Sequence, residues 1–121
     1  MSHLISIDCS GSLVRVTVTD QLDLKGYKHI VPYVDQAIDE FGSARVIFNL
    51  GEYRGWNDEA RWEDLDLKLP HWANVERVAI IGDEKYEERA PTLCRPFTAA
   101  KVRYFYPPDA KAAEKWIREG L

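Results

Sequence analysis

LVRVTVT at 13–19, ARVIFNL at 44–50, ERVAIIG at 76–82 and KVRYFY at 101–106 are short runs rich in β-branched and aromatic residues, and each is followed by a stretch of helical spacing. This alternation restricts the fold more than any other feature of the chain. Strands separated by single helices return to the same sheet through right-handed crossovers, which makes the sheet largely parallel. LISID at 4–8 precedes the first run across CSGS, a turn-like segment with a glycine, so these two strands form an antiparallel hairpin. The predicted order is β-β-α-β-α-β-α-β-α. No linker, repeat or low-complexity run divides it, and residues 1–121 read as one domain, a length that suits a single hydrophobic core.

The helices follow from apolar spacing. Leu24, Tyr27, Val31, Val34, Ile38 and Phe41 recur at steps of three and four, which predicts a helix over 23–41 with a kink at Pro32 and a stop at Gly42. A second helix is expected over 58–72, with Trp62, Leu65, Leu69 and Trp72 on one face. Residues 84–97 read as a less regular helix interrupted by Pro91 and Pro96. The last opens with Pro108 and Asp109 and buries Ala113, Trp116 and Ile117.

Side chains on a strand alternate between faces, so the two faces of the sheet can be written down. One set is Val14, Val16, Val18; Val46, Phe48, Leu50; Val78, Ile80; Val102, Tyr104, Tyr106. The other contains Arg15, Thr17, Thr19; Arg45, Ile47, Asn49; Ala79, Ile81; Arg103, Phe105. The first is a core face. The second has an apolar centre with an arginine rim, which predicts helices mainly on the first face and a second face left partly open. Arg15, Arg45 and Arg103 are then either strand-end residues reaching into water or the basic rim of a self-association or partner surface with Phe105 in its apolar middle.

The stretches RVIFNLGEYRGWNDEARWEDL, VERVAIIGDEKYEE and KVRYFYPPDAKAAEKWI resemble the SpoIIAA-like family of small bacterial proteins, which is related to STAS domains, the fold of anti-sigma factor antagonists. The resemblance spans nearly the whole chain. It implies an α/β domain with a mostly parallel sheet in successive strand order, one antiparallel N-terminal strand and helices mainly on one side. In anti-sigma antagonists a serine, usually preceded by aspartate, opens the second helix and is phosphorylated. The corresponding segment here, Gly51 to Asp58, holds no serine or threonine, and its acidic helix start would repel a phosphate, so that switch does not carry over.

Residues 51–58 leave the carboxyl end of a predicted parallel strand, where open α/β sheets bind ligands. Asn57 or Asp58 suits a helix cap, and Asp58 with Glu59 suits the helix dipole. Capping does not account for Tyr53, Arg54, Trp56 and Arg61. Trp56 either folds over the core as a lid or joins Tyr53 and Arg54 in an exposed patch of the composition enriched at interaction hot spots.

Other chemistry is sparse. His3, His29 and His71 are scattered, with no HExxH or Cys-x-x-Cys spacing, so no metal and no cofactor is expected. Nucleotide loops and the G-x-S-x-G elbow are missing, and nothing assembles a nucleophile, base and orienter. A net charge of -4 argues against nucleic-acid binding, which needs clustered Lys and Arg. No apolar run approaches a bilayer span, and the N-terminal residues carry no export signal, so cytoplasmic residence with reduced Cys9 and Cys94 is expected. Cys94 reads as a buried packing residue. The expected function is a non-enzymatic binding or regulatory module working through protein contacts, as a homodimer or with another partner. The alternative is a carrier of a small apolar or amphipathic ligand such as a lipid, lined by Tyr27, Trp56, Trp62, Trp72 and Phe97.

Overall fold

The computed structural model describes residues 5–22, 28–56, 72–89, 94 and 97–120, with the backbone path alone for 19–22, 51–56, 86, 88 and 89. Five strands form one sheet in successive order: β1 (Ile5–Ser10), β2 (Leu13–Leu22), β3 (Ala44–Trp56), β4 (Val75–Ile81) and β5 (Lys101–Phe105). β1 pairs antiparallel with β2, turning at Gly11 with φ of 62°, a conformation that glycine adopts without a Cβ clash. Every other pair is parallel.

The register matches the two faces read from alternation. Val14 lies beside Val46, Val46 beside Val78 and Val78 beside Val102, while Val16, Phe48, Ile80 and Tyr104 form the next row. On this face the core gathers Val14, Val16, Val18, Val46, Phe48 and Ile80, all at most 1% exposed. Helix α1 (Val31–Phe41) covers it through Ile30, Val34 and Ala37, and Trp72, Cys94 and Phe97 complete the layer.

Several boundaries differ from those expected. Pro32 stands in the first turn of α1 and makes no mid-helix kink, because a first-turn residue has no intrahelical partner for its N–H and the missing donor costs nothing there. The expected residues 23–27 lie outside the described ones. Gly42 ends α1 with φ of 83° and donates its N–H to the Ile38 carbonyl at 2.8 Å. Glu84–Arg89 is a 3₁₀ helix, not an α-helix. Most of the helix expected over 58–72 falls outside the described residues; its last position, Trp72, is buried.

The second face is not open at its centre. Helix α2 (Ala110–Arg118), entered through the 3₁₀ turn Pro107–Asp109, lies on it. Ala113 and Ile117, both fully buried, meet Leu13, Ile47, Ala79, Ile81 and Phe105 in a second apolar cluster. Among the described residues no helix is long and apolar enough to cross a membrane.

Candidate functional site

The expected loop at 51–56 is a strand. β3 runs on to Trp56 and β2 to Leu22, pairing Thr19 with Glu52, Asp20 with Tyr53 and Leu22 with Trp56. The last β3–β4 pair is Asn49 with Ile81 and the last β1–β2 pair is Ile5 with Val18, so from Thr19 and Glu52 onward β2 and β3 pair only with each other among the described strands. The register slips between Thr17 and Thr19 and again between Asp20 and Leu22. Each slip places one extra residue on β3, and each extra segment, Leu50–Gly51 and Arg54–Gly55, contains a glycine. Glycine marks bulges because it accepts their irregular backbone, and bulges raise strand twist. Tyr53, Arg54 and Trp56 therefore sit on a twisted two-stranded ribbon at the carboxyl end of the parallel strands. Arg61, Asn57 and Asp58 lie outside the described residues.

The arginines of the second face turn toward α2. Arg45 is only 7% exposed, and its guanidinium donates to the Ile117 carbonyl at 3.0 Å and the Glu119 carbonyl at 2.5 Å. Its Nε reaches Glu76 Oε1 at 3.3 Å. Arg77, which the sequence reading passed over, donates to the Trp116 carbonyl at 2.8 Å and lies 5.0 Å from the Trp116 ring centroid. These groups meet carbonyls at the C-terminal end of a helix, the negative end of its dipole, where the Trp116 carbonyl also accepts from the Glu119 N–H at 3.2 Å. Arg15 pairs with Glu114, and Arg103 lies over the rings of Phe105 at 4.9 Å and Trp116 at 5.5 Å. Phe105 itself is buried and packs beside Trp116 with centroids 6.1 Å apart. The structure thus brings Arg15, Arg45, Arg103 and Phe105 together around a helix of the same chain. It places them on the opposite side of the sheet from α1, and none of them on the β2–β3 ribbon. The signal that finds Arg77 is its pairing phase, since it shares a face with Ala79 and Ile81.

Of the aromatic set expected to line a ligand cavity, Trp72 and Phe97 are described, and they stack with centroids 5.4 Å apart. Phe97 meets Phe48 edge-on, and the Trp72 indole donates to Asp35 Oδ1 at 2.8 Å. Cys94 is buried beside them, and burial pushes its thiol up to about 12, so it stays protonated and packs as a small apolar group. Cys9 is exposed, its thiol raised first by partial burial and then by the neighbouring Asp8 charge. Among the described residues no three of His, Cys, Asp and Glu are grouped as metal ligands.

The family described as SpoIIAA-like matches residues 13–118. Among solved structures, an uncharacterised protein of the DUF3478 family from Shewanella loihica PV-4, with a SpoIIAA-like fold, is 26% identical over 93% of this chain and 91% of that one, with a TM-score of 0.64. The anti-sigma factor antagonist SpoIIAA in its unphosphorylated form superposes with a TM-score of 0.57 over 97% of this chain and 99% of that one; at 11% identity that likeness concerns the fold alone. None of the curated proteins matches.

Proposed function

We propose, since this chain belongs to the SpoIIAA-like family, that it is a non-enzymatic binding module that works through protein contacts at the β2–β3 ribbon, without a serine phosphoswitch. The STAS-like fold often mediates protein interactions and is generally non-enzymatic. The observation that carries the reading is the ribbon itself. Pairing of Asp20 with Tyr53 and Leu22 with Trp56 holds an aromatic-and-arginine segment in a defined backbone path beyond the shared sheet. A paired strand presents such residues at lower ordering cost than a free loop, and Tyr, Trp and Arg are the residue types that dominate interface energetics. With no serine or threonine between Gly51 and Asp58, regulation at this position acts through occupancy and not through phosphate.

The partner is a second copy of the chain, giving a homodimer, or another protein. Light scattering across a concentration series, with cross-linking mapped by mass spectrometry, tests this on the intact chain. Cross-links at the ribbon that disappear in Tyr53→Ala and Trp56→Ala support the reading. A monomer at every concentration that retains a small apolar molecule in native mass spectra would overturn it and return the chain to the class of ligand carriers.

A further inference from the structure

Among the described strands β1 pairs only with β2 and β5 only with β4, so each presents its outer row of backbone N–H and C=O groups to any strand that fits. The two edges carry opposite charge. β1 (ISIDCS) holds Asp8 and no cation, whereas β5 (KVRYF) holds Lys101 and Arg103 and no carboxylate. All three side chains are exposed. Arg15 lies beside Asp8 in the register but turns to Glu114, and neither Asp8 nor Arg103 forms an ion pair with a described residue. Apolar exposure falls on the same two edges: Val102 and Tyr106 are 40% and 39% exposed, and Ile5 and Ile7 are only half-buried.

The phase of the two strands makes these edges complementary. Ile5, Ile7 and Cys9 stand on the α1 face of the sheet with Val102 and Tyr104, while Ser6, Asp8 and Ser10 stand on the α2 face with Lys101, Arg103 and Phe105. Directly opposed residues of an antiparallel pair share a face, with Cβ atoms about 4.5–5.5 Å apart. Setting Arg103 opposite Asp8 of a second copy therefore opposes Val102 to Cys9 and Tyr104 to Ile7, with Lys101 against Ser10 and Phe105 against Ser6. Tyr106, whose backbone is still extended, then reaches Ile5. This setting uses all of β1, matches apolar with apolar and joins the two unpaired charges; a slip of one residue would carry Asp8 to the apolar face. From this fit we infer that copies of the chain associate edge to edge, β5 of one against β1 of the next, continuing the sheet from molecule to molecule. Like edges would instead bring charges of one sign to the seam. The two patches differ, so the contact is head-to-tail and does not close as a dimer. With about 20–25° of twist per strand, each copy is turned about 100–125° from the last, roughly three to a turn. β2 and β3 are interior strands, so the inference goes beyond the reading of their ribbon as a contact site and leaves that ribbon free.

Val102→Cys in the intact chain provides the test, because the residue set opposite it is the native, exposed Cys9, while Cys94 is buried. The Cα spacing of an antiparallel pair, about 4.5 or 5.5 Å, suits a disulfide. Mild oxidation with copper phenanthroline is expected to give a ladder of dimers, trimers and longer species on non-reducing gels. Adding Cys9→Ser should abolish the ladder, and Lys101→Cys, on the other face, should give at least tenfold less of it. In sedimentation velocity the parent protein is expected to gain mass with concentration past two copies. Asp8→Arg and Arg103→Asp, both at exposed positions, should each weaken this association at least tenfold with unchanged circular dichroism. An equimolar mixture of the two should restore it, since each variant supplies the charge that the other lacks. A monomer at every concentration, a mass that stops at two copies, equal cross-linking from Lys101→Cys or a mixture that fails to associate overturns the inference. Association lost in Trp56→Ala but kept in Asp8→Arg also overturns it, and would assign the contact to the ribbon with the module reading intact.

Discussion

Replacing Arg45 with alanine isolates what holds α2 on the sheet. The guanidinium is buried and serves two carbonyls at the helix end, Ile117 at 3.0 Å and Glu119 at 2.5 Å. Without it the buried Ile117 carbonyl keeps no replacement donor, a loss of about 1–3 kcal/mol. The Glu119 end is exposed and regains water, so it adds less, and the pair with the half-exposed Glu76 adds at most about 1 kcal/mol. Loss of the packed aliphatic stem contributes further, and the total comes to about 3 kcal/mol, a large part of a typical domain stability of 5–15 kcal/mol. With a urea slope of about 2 kcal/mol/M, the unfolding midpoint falls by about 1.5 M. Arg103→Ala is the control, because that guanidinium is exposed over two rings and is worth about 0.5–1 kcal/mol. Hydrogen exchange of Ala113 to Ile117 is expected to quicken in Arg45→Ala and to change little in Arg103→Ala. Equal midpoints for the two variants, or an Arg45→Ala protein within 0.5 kcal/mol of the parent, would refute the capping argument and leave α2 held by apolar contact alone.

The thiols give a second outcome: at pH 8 native protein should expose one thiol per chain to Ellman's reagent, Cys9, and denatured protein two. Because the Cys94 thiol rises from 9.0 to about 12 on folding, the unfolded chain loses that proton first, so stability falls above pH 9 by up to about 1.4 kcal/mol per pH unit; Cys94→Ala should flatten that slope in alkaline urea titrations. Gly82→Ala would bring a Cβ to 2.5 Å from the Tyr104 hydroxyl and 3.3 Å from Leu50 Cβ, forcing Tyr104 off its 2.7 Å bond to the Asp83 carbonyl. A cost of about 1–3 kcal/mol is expected, partly recovered in Gly82→Ala with Tyr104→Phe; a double-mutant cycle showing no coupling would count against that contact. Tyr106 donates to Glu87 at 2.6 Å, and this bond raises its phenol to about 12, so Glu87→Gln should shift one tyrosine back toward 10.0 in an ultraviolet titration.

Much of the sheet was legible because the side-chain period of a strand is two and a half-buried strand cannot hide it. Val46, Phe48, Val78 and Ile80 announced both their strands and their neighbours. The second face misled for a physical reason: an arginine at the end of a strand looks the same in sequence whether it meets water or helix carbonyls. A usable signal existed, since Ala113, Trp116 and Ile117 needed an apolar patch and Ile47, Ala79, Ile81 and Phe105 lacked a cover. The ribbon was missed because Gly51 and Gly55 read as loop residues, and a bulge uses glycine for the same backbone freedom that a loop does. Pro32 was misplaced because periodicity alone does not say which turn of a helix is its first. The groove shared by α1 and the β1–β2 hairpin left no trace, since Tyr33 and Cys9 come to line it only through the fold.

One arginine from each of β2, β3, β4 and β5, namely Arg15, Arg45, Arg77 and Arg103, reports to the same helix. A parallel strand that slipped by one residue would swing its cation through the sheet into the apolar layer of Val46 and Phe48, where burying a charge is costly. α2 thereby acts as a proofreader of strand alignment: four neighbouring strands can satisfy it together only in a single mutual setting.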